Sequence, residues 1–143
     1  MKSVSNPHDC REELRRLEMR VTPARLGVLD VLEHAEVPLD VSTVIAYLDK
    51  QQIPADEVTV FRILNAFSKK GLIRPVQFNE GKLRYEYADK PPHHHFICEQ
   101  CGSVSDVEGC VVGELEKQIE KKTGARVTRH SLEFFGICRR CGV

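Results

Sequence analysis

Three consecutive histidines, His93, His94 and His95, stand just upstream of Cys98-Glu99-Gln100-Cys101, and a second pair, Cys138-Arg139-Arg140-Cys141, follows later. Each Cys-x-x-Cys places two sulfurs on one tight turn. Brought together, the two turns supply four thiolates in a tetrahedral cage, the geometry that suits Zn²⁺. Residues 102–137 lie between the pairs, enough chain for a small strand-and-helix unit that folds back. The competing chemistry is a pair of disulfides. Met1 to Asn6 is polar and no apolar signal segment opens the sequence, so the expected compartment is the cytoplasm, where paired Cys-x-x-Cys read as a metal site. A redox-active Cys-x-x-Cys would need one pair only and a thioredoxin-like βαβ surround, which the pattern does not give.

Composition bounds what else the chain can be. Its 143 residues make one large domain or two small ones. A half of about 50 residues has a marginal core, and a structural metal is a common remedy at that size. The formal net charge is +0, which argues against coating nucleic acid by charge alone but permits a site-specific DNA binder with a local positive face. Tryptophan is absent and aromatics make up 6%, a poor supply for stacking on single-stranded bases. No run of apolar residues is long enough to span a membrane.

The elements that must position the ligands follow from periodicity and caps. His8 to Arg20 reads as a short helix with Leu14 and Leu17 as its apolar stripe and Arg11, Arg15, Arg16 and Arg20 on other faces. Thr22 as N-cap and Pro23 at the first helical position start a second helix, carried by Leu26, Val28, Leu29, Val31 and Leu32 to about His34. Asp40 caps a third, with Val44 and Leu48 inward, and Asp56 a fourth, with Val60, Ile63, Leu64 and Phe67 inward and Gly71 at its end. Leu72 to Phe78, a turn at 79–81, and Leu83 to Tyr87 alternate as a β-hairpin. Helix, turn, helix and hairpin together form a winged helix-turn-helix, which lays its second motif helix in the major groove while the wing meets the backbone.

Lys90-Pro91-Pro92 marks a hinge, since two prolines hold the chain extended. Beyond it, His95 to Cys98 and Ser103 to Val107 read as two strands joined through the first cysteine turn. Cys110 to Thr123 reads as an amphipathic helix terminated by Gly124, and Arg126 to Ile137 as a long strand. The expected class is therefore α+β: a winged-helix DNA-binding domain over 1–88, a hinge over 89–92, and a small α/β dimerisation and metal-binding domain over 93–143. So small a second unit leaves strand edges and a helix face uncovered, and a second copy of the chain is the expected cover, giving a symmetric homodimer.

From about Leu14 to Cys141 this order resembles the ferric uptake regulator family of metal-sensing bacterial repressors. Four stretches carry the resemblance: Val21-Thr22-Pro23-Ala24-Arg25; Thr59-Val60-Phe61-Arg62; His93 to Gly102; and Arg129-His130-Ser131-Leu132. The resemblance implies double-stranded operator DNA as partner, with Thr59, Phe61 and Arg62 on the recognition helix and Arg20 and Arg25 on the DNA backbone. Phe61 stands where the family usually has Tyr; its ring keeps the ability to pack on a thymine methyl. The resemblance also implies a structural zinc on Cys98, Cys101, Cys138 and Cys141, and a regulatory site on Glu86, His93, His95 and Asp106. On a strand, His93 and His95 project to one face and His94 to the other. With the two carboxylates they form a nitrogen and oxygen set open to Fe²⁺, Mn²⁺ or Zn²⁺.

A candidate second regulatory site follows from the same resemblance on His94 and His130, with Glu114 as the carboxylate and Glu116 nearby, because Gly113 occupies the family's glutamate position. His34 is the nearest stand-in for a further family histidine before the third helix, where this chain has Pro38. Cys10 and Cys110 are left as free thiols, the latter near the metal region and open to oxidation.

The leading expectation is a metal-responsive transcriptional repressor and not an enzyme, in which metal closes the dimer onto a palindromic operator. A peroxide sensor of the same family, using His93 or His95 beside iron, is the alternative. A zinc hydrolase with Glu86 as general base is a third class, but the histidines lack a helical His-x-x-x-His scaffold. A protein-binding zinc module without a DNA target is a fourth.

Overall fold

The computed structural model describes residues 9–78 and 80–142, so His8 and Asn79 lie outside the described residues. The chain divides into two compact units at Asp89 and Lys90.

The first unit begins with α1 (Cys10–Arg16), capped by Asp9, whose carboxylate accepts from the Arg11 amide. This helix is shorter at its C-terminal end than the pattern over 8–20 suggested, for a local reason. Glu18 adopts φ 57, and the amides of Glu18 and Met19 close back on the Arg15 and Leu14 carbonyls. That pair of bonds satisfies carbonyls a helix end otherwise leaves unpaired. The same closure ends α3 (Val41–Lys50) through Gln52 at φ 57 and α4 (Glu57–Lys69) through Gly71 at φ 75. Only the glycine signals it in sequence.

The N-caps form as read. Thr22 accepts from the Arg25 amide at the start of α2 (Pro23–His34), Asp40 from Thr43, and Asp56 from Thr59. The inward faces of these helices share one core in which Leu14, Leu29, Leu32, Leu48, Leu64 and Phe67 are fully buried. A Cβ at Gly27 would come within 2.6 Å of Leu48, so glycine there is what allows α2 to lie against α3.

The hairpin β2 (Ile73–Gln77) and β3 (Leu83–Tyr87) gains an unexpected third member, β1 (Leu39–Asp40), giving sheet order β1-β3-β2. Tyr87 fastens the sheet to α1: its buried hydroxyl donates to the Glu13 carboxylate at 3.1 Å. Pro75 sits on the outer strand β2, opposite Tyr85. The Ala88 amide bonds the Leu72 carbonyl, which sets Leu72, Arg74 and Val76 as the hydrogen-bonding positions toward β3. The Pro75 nitrogen consequently faces the open edge, the place a strand tolerates it.

The second unit is a three-stranded sheet of order β5-β4-β6, with β4 (His93–Cys98) central. It pairs antiparallel with β5 (Val104–Glu108) and parallel with β6 (Glu133–Gly136). Between them runs α5 (Gly113–Thr123), which buries none of its residues and ends at Gly124 in the left-handed conformation. Two expectations need correction. The helix starts at Gly113 and not Cys110, and the strand expected over 126–137 is ordered as a strand only over 133–136. Residues 124–132 are held instead by side chains, as when Glu120 accepts from the Val127 amide at 2.8 Å.

Candidate metal centres

Three consecutive strand residues send their rings to alternate faces, and each face of β4 meets a different set of partners. On one face lie His93 and His95, ring centroids 4.8 Å apart and nearly perpendicular. The register puts Asp106 directly across from His95, with its carboxylate 3.6 Å from His95 Nε2. The Pro91 carbonyl lies 2.7 Å from His93 Nδ1, so that nitrogen carries the proton and Nε2 presents its lone pair. Two imidazoles thus share one face within this unit, with the Asp106 carboxylate beside the second of them.

Glu86, the remaining member of the expected regulatory set, belongs to the first unit. There it lies across the hairpin from Arg74, whose Nε donates to Glu86 Oε1 at 2.7 Å, and it is only 3% exposed. A buried carboxylate needs such a cation beside it.

The four cysteines of the two pairs do come together. Cys98, Cys101, Cys138 and Cys141 place their sulfurs within 4.8 Å of one another. Cys101 Sγ and Cys138 Sγ are 3.7 Å apart. A tetrahedron with metal–sulfur bonds of about 2.3 Å has edges of about 3.8 Å, so the spacing fits a zinc-sized cation. Amides of Cys101 and Cys138 pointing at Cys98 hold its thiol below the ordinary range, the Ser103 hydroxyl and amide do the same for Cys101, and the Cys141 amide for Cys138. The fourth thiol, Cys141, is pushed up to about 12, first of all by its hydrogen bond with Cys138. Donors aimed at three of the sulfurs ease the loss of their protons, and a divalent cation neutralises the charge that four close thiolates would carry.

The other face of β4 carries His94, which approaches His130 with ring centroids 5.3 Å apart. Glu114 does not join that pair. The residues grouped with His94 and His130 are Cys110, whose Sγ is 3.4 Å from His130 Nε2, and Glu116, whose carboxylate is 2.7 Å from His130 Nδ1. Cys110 was read from sequence as a free thiol, and Glu116 only as a carboxylate near the expected one. Glu116 lies on α5 in the first turn, and only the fold of 124–132 delivers His130 to it.

This arrangement of a cysteine cage and two histidine faces can be set beside known proteins. The family model described as the ferric uptake regulator family matches residues 16–135. The ferric uptake regulation protein of Neisseria meningitidis is 32% identical over 131 residues, covering 90% of each chain. The chain belongs to the ferric uptake regulator family. The family also contributes a different kind of relative, the peroxide operon regulator of Bacillus subtilis, 27% identical with 94% of each chain covered. Among solved structures, the Vibrio cholerae ferric uptake regulator superposes with a TM-score of 0.80 at 29% identity, over 91% of this chain and all of that one.

In the winged-helix unit of this ferric uptake regulator homologue, α4 buries Val60, Ile63, Leu64 and Phe67 and turns Val58, Thr59, Phe61 and Arg62 outward. Phe61 is 48% exposed, a large apolar ring at the surface of its unit. Arg20 is exposed, and Arg25 is half-buried and donates through Nη1 to the Arg20 carbonyl at 2.9 Å. His34, on the last turn of α2, bonds back to the Asp30 carbonyl at 2.9 Å. No helix among the described residues is long and apolar enough to cross a membrane.

Proposed function

We propose that this regulator binds a palindromic DNA operator as a homodimer when a divalent cation occupies His93, His95 and Asp106, with Glu86 of the first unit as a further ligand. The observation that carries this reading is the pair of imidazoles on one face of β4 opposite the Asp106 carboxylate. The set is rich in nitrogen and oxygen and has no thiolate, which suits Fe²⁺, Mn²⁺ or Zn²⁺. Because Glu86 is carried on the wing strand β3, a cation bound by all four side chains ties the wing to the metal-binding unit. Metal then biases a two-state element and operator affinity follows. The cysteine cage takes structural Zn²⁺, and the apolar side chains that the second unit leaves exposed are covered by a second copy of the chain.

On DNA, the outward face of α4 enters the major groove, where Phe61 packs on a thymine methyl and Arg62 reaches a guanine or phosphate, while Arg20 and Arg25 contact the backbone. Half-sites about one helical turn apart follow from the dimer.

The test is a gel shift with operator duplex in Zn²⁺, Fe²⁺ and chelator, run on wild type and on His93→Ala with His95→Ala. The double variant keeps its fold and its cysteine-bound zinc and loses metal-induced binding. Unchanged operator affinity in that variant overturns the sensing role. The likeness to the Bacillus subtilis peroxide operon regulator supports a second reading, in which iron beside His93 or His95 reacts with peroxide. Under that reading Fe²⁺-loaded protein loses operator binding on peroxide treatment, with oxygen added to one of those two rings in the mass spectrum.

A further inference from the structure

The face of β4 turned away from the regulatory set holds a second group of donors with a different chemistry. His94 is 7% exposed, and its Nδ1 lies 3.2 Å from the Leu132 carbonyl. A carbonyl only accepts, so Nδ1 carries the ring proton and Nε2 is left with a bare lone pair. That Nε2 is fully buried and has no hydrogen-bond partner. His130 is fixed the same way: the Glu116 carboxylate at 2.7 Å takes the Nδ1 proton, and Nε2 faces Cys110 Sγ at 3.4 Å. One nitrogen of each ring and the sulfur all lie within 4.8 Å of one another.

A buried imidazole nitrogen without a partner forfeits the free energy of a lost hydrogen bond unless something occupies the space in front of it. Two neighbouring histidines that each donate Nδ1–H to an oxygen acceptor and keep Nε2 for another partner show the outer-shell pattern of metal-ligating histidine.

We propose that His94, Cys110 and His130 form a second cation site, a thiolate with two imidazoles, held in shape by the Leu132 carbonyl and the Glu116 carboxylate. Replacing the expected Glu114 carboxylate by a thiolate changes what the site accepts. Sulfur with imidazole favours Zn²⁺ over Fe²⁺ or Mn²⁺, so this face of β4 discriminates among metals that its other face does not. Binding displaces the Cys110 thiol proton to solvent as the sulfur–metal bond forms. Three protein donors leave a fourth tetrahedral position for water. The inference stands apart from operator binding, since it uses none of the residues assigned to the regulatory set.

Peptide mapping of iodoacetamide alkylation tests it residue by residue, on full-length protein already carrying its cysteine-cage metal. Added Zn²⁺ should slow alkylation of Cys110 by at least about tenfold, because a metal-bound thiolate is a poor nucleophile and is shielded. His130→Ala, an exposed position whose loss spares the fold, should abolish that protection. Glu116→Gln should raise the zinc concentration needed for protection by about 10–100-fold, the usual cost of an outer-shell partner. Equal Cys110 alkylation with and without zinc in wild type, or protection that survives in His130→Ala, overturns the site. Metal-dependent operator binding measured on the same preparations reports separately on the regulatory reading.

Discussion

The two units of this chain solve the same stability problem by opposite means. The winged-helix unit buries whole leucines, valines and a phenylalanine, with Leu14, Leu29, Leu64 and Phe67 at 0% exposure. In the second unit the buried residues are Ile97, Cys98 and two histidines, while Val111, Leu115, Ile119, Phe134, Phe135 and Ile137 stay exposed. Its helix α5 buries nothing at all. At about 25 cal/mol per Å² of apolar surface buried, the first unit draws far more stability from its core than the second does. What remains to the second unit is coordination chemistry and association. Its polar burial is a set of sulfurs and nitrogens suited to metal, and much of its apolar surface stays open.

That contrast can be broken at its widest point first. Cys98→Ser removes one corner of the cage, and structural zinc in small domains is worth about 10–16 kcal/mol of folding free energy. The second unit should lose its structure by circular dichroism and its bound zinc by elemental analysis, with the winged-helix unit still folded. A zinc-loaded, stable dimer in this variant would mean that the unit has a core of its own after all. The converse change is Phe67→Ala, which should cost the winged-helix unit about 3–5 kcal/mol in urea denaturation while leaving the cysteine zinc content unchanged.

The exposed apolar surface supplies a sharper probe. Leu115→Asp with Ile119→Asp should weaken self-association by about 3 kcal/mol, roughly a hundredfold in dissociation constant by sedimentation, without loss of cage zinc. Unaltered association would place the interface elsewhere. The smallest effect lies in the winged-helix unit, where Asp40 caps α3 and pairs with Lys82 at 2.6 Å. Burial on its own would raise the Asp40 carboxyl, but Lys82, Thr43 and Ser42 override it and hold the group far below the usual carboxylate range. Its contribution is present in full above about pH 4, the unfolded-chain value, and is lost as pH falls toward the depressed folded-state value. Asp40→Ala should therefore cost about 1–2 kcal/mol at neutral pH, mostly as a lost cap because Lys82 is half-exposed, and the gap from wild type should narrow in acid.

The sequence spoke most clearly where structure is made by neighbours. Thr22, Asp40 and Asp56 were legible as caps because each bonds an amide three residues on, and the alternation of His93, His94 and His95 follows from the pleat. The left-handed closures at Glu18 and Gln52 were hidden, since neither is a glycine. β1 was hidden because two residues have no period. The residues around His94 were the hardest to read. Cys110 and Glu116 meet His130 only after α5 and the irregular run of 124–132 fold back, and nothing local announces that return. The expected helix start at Cys110 pointed the wrong way, by assigning that thiol to a helix face.

Pro75 has a consequence for how copies of this chain can meet. Its ring removes the donor that the outer rung of the wing sheet would offer to an incoming strand. A strand arriving from another copy would find a gap in the middle of that edge, so joining two such sheets edge to edge is disfavoured.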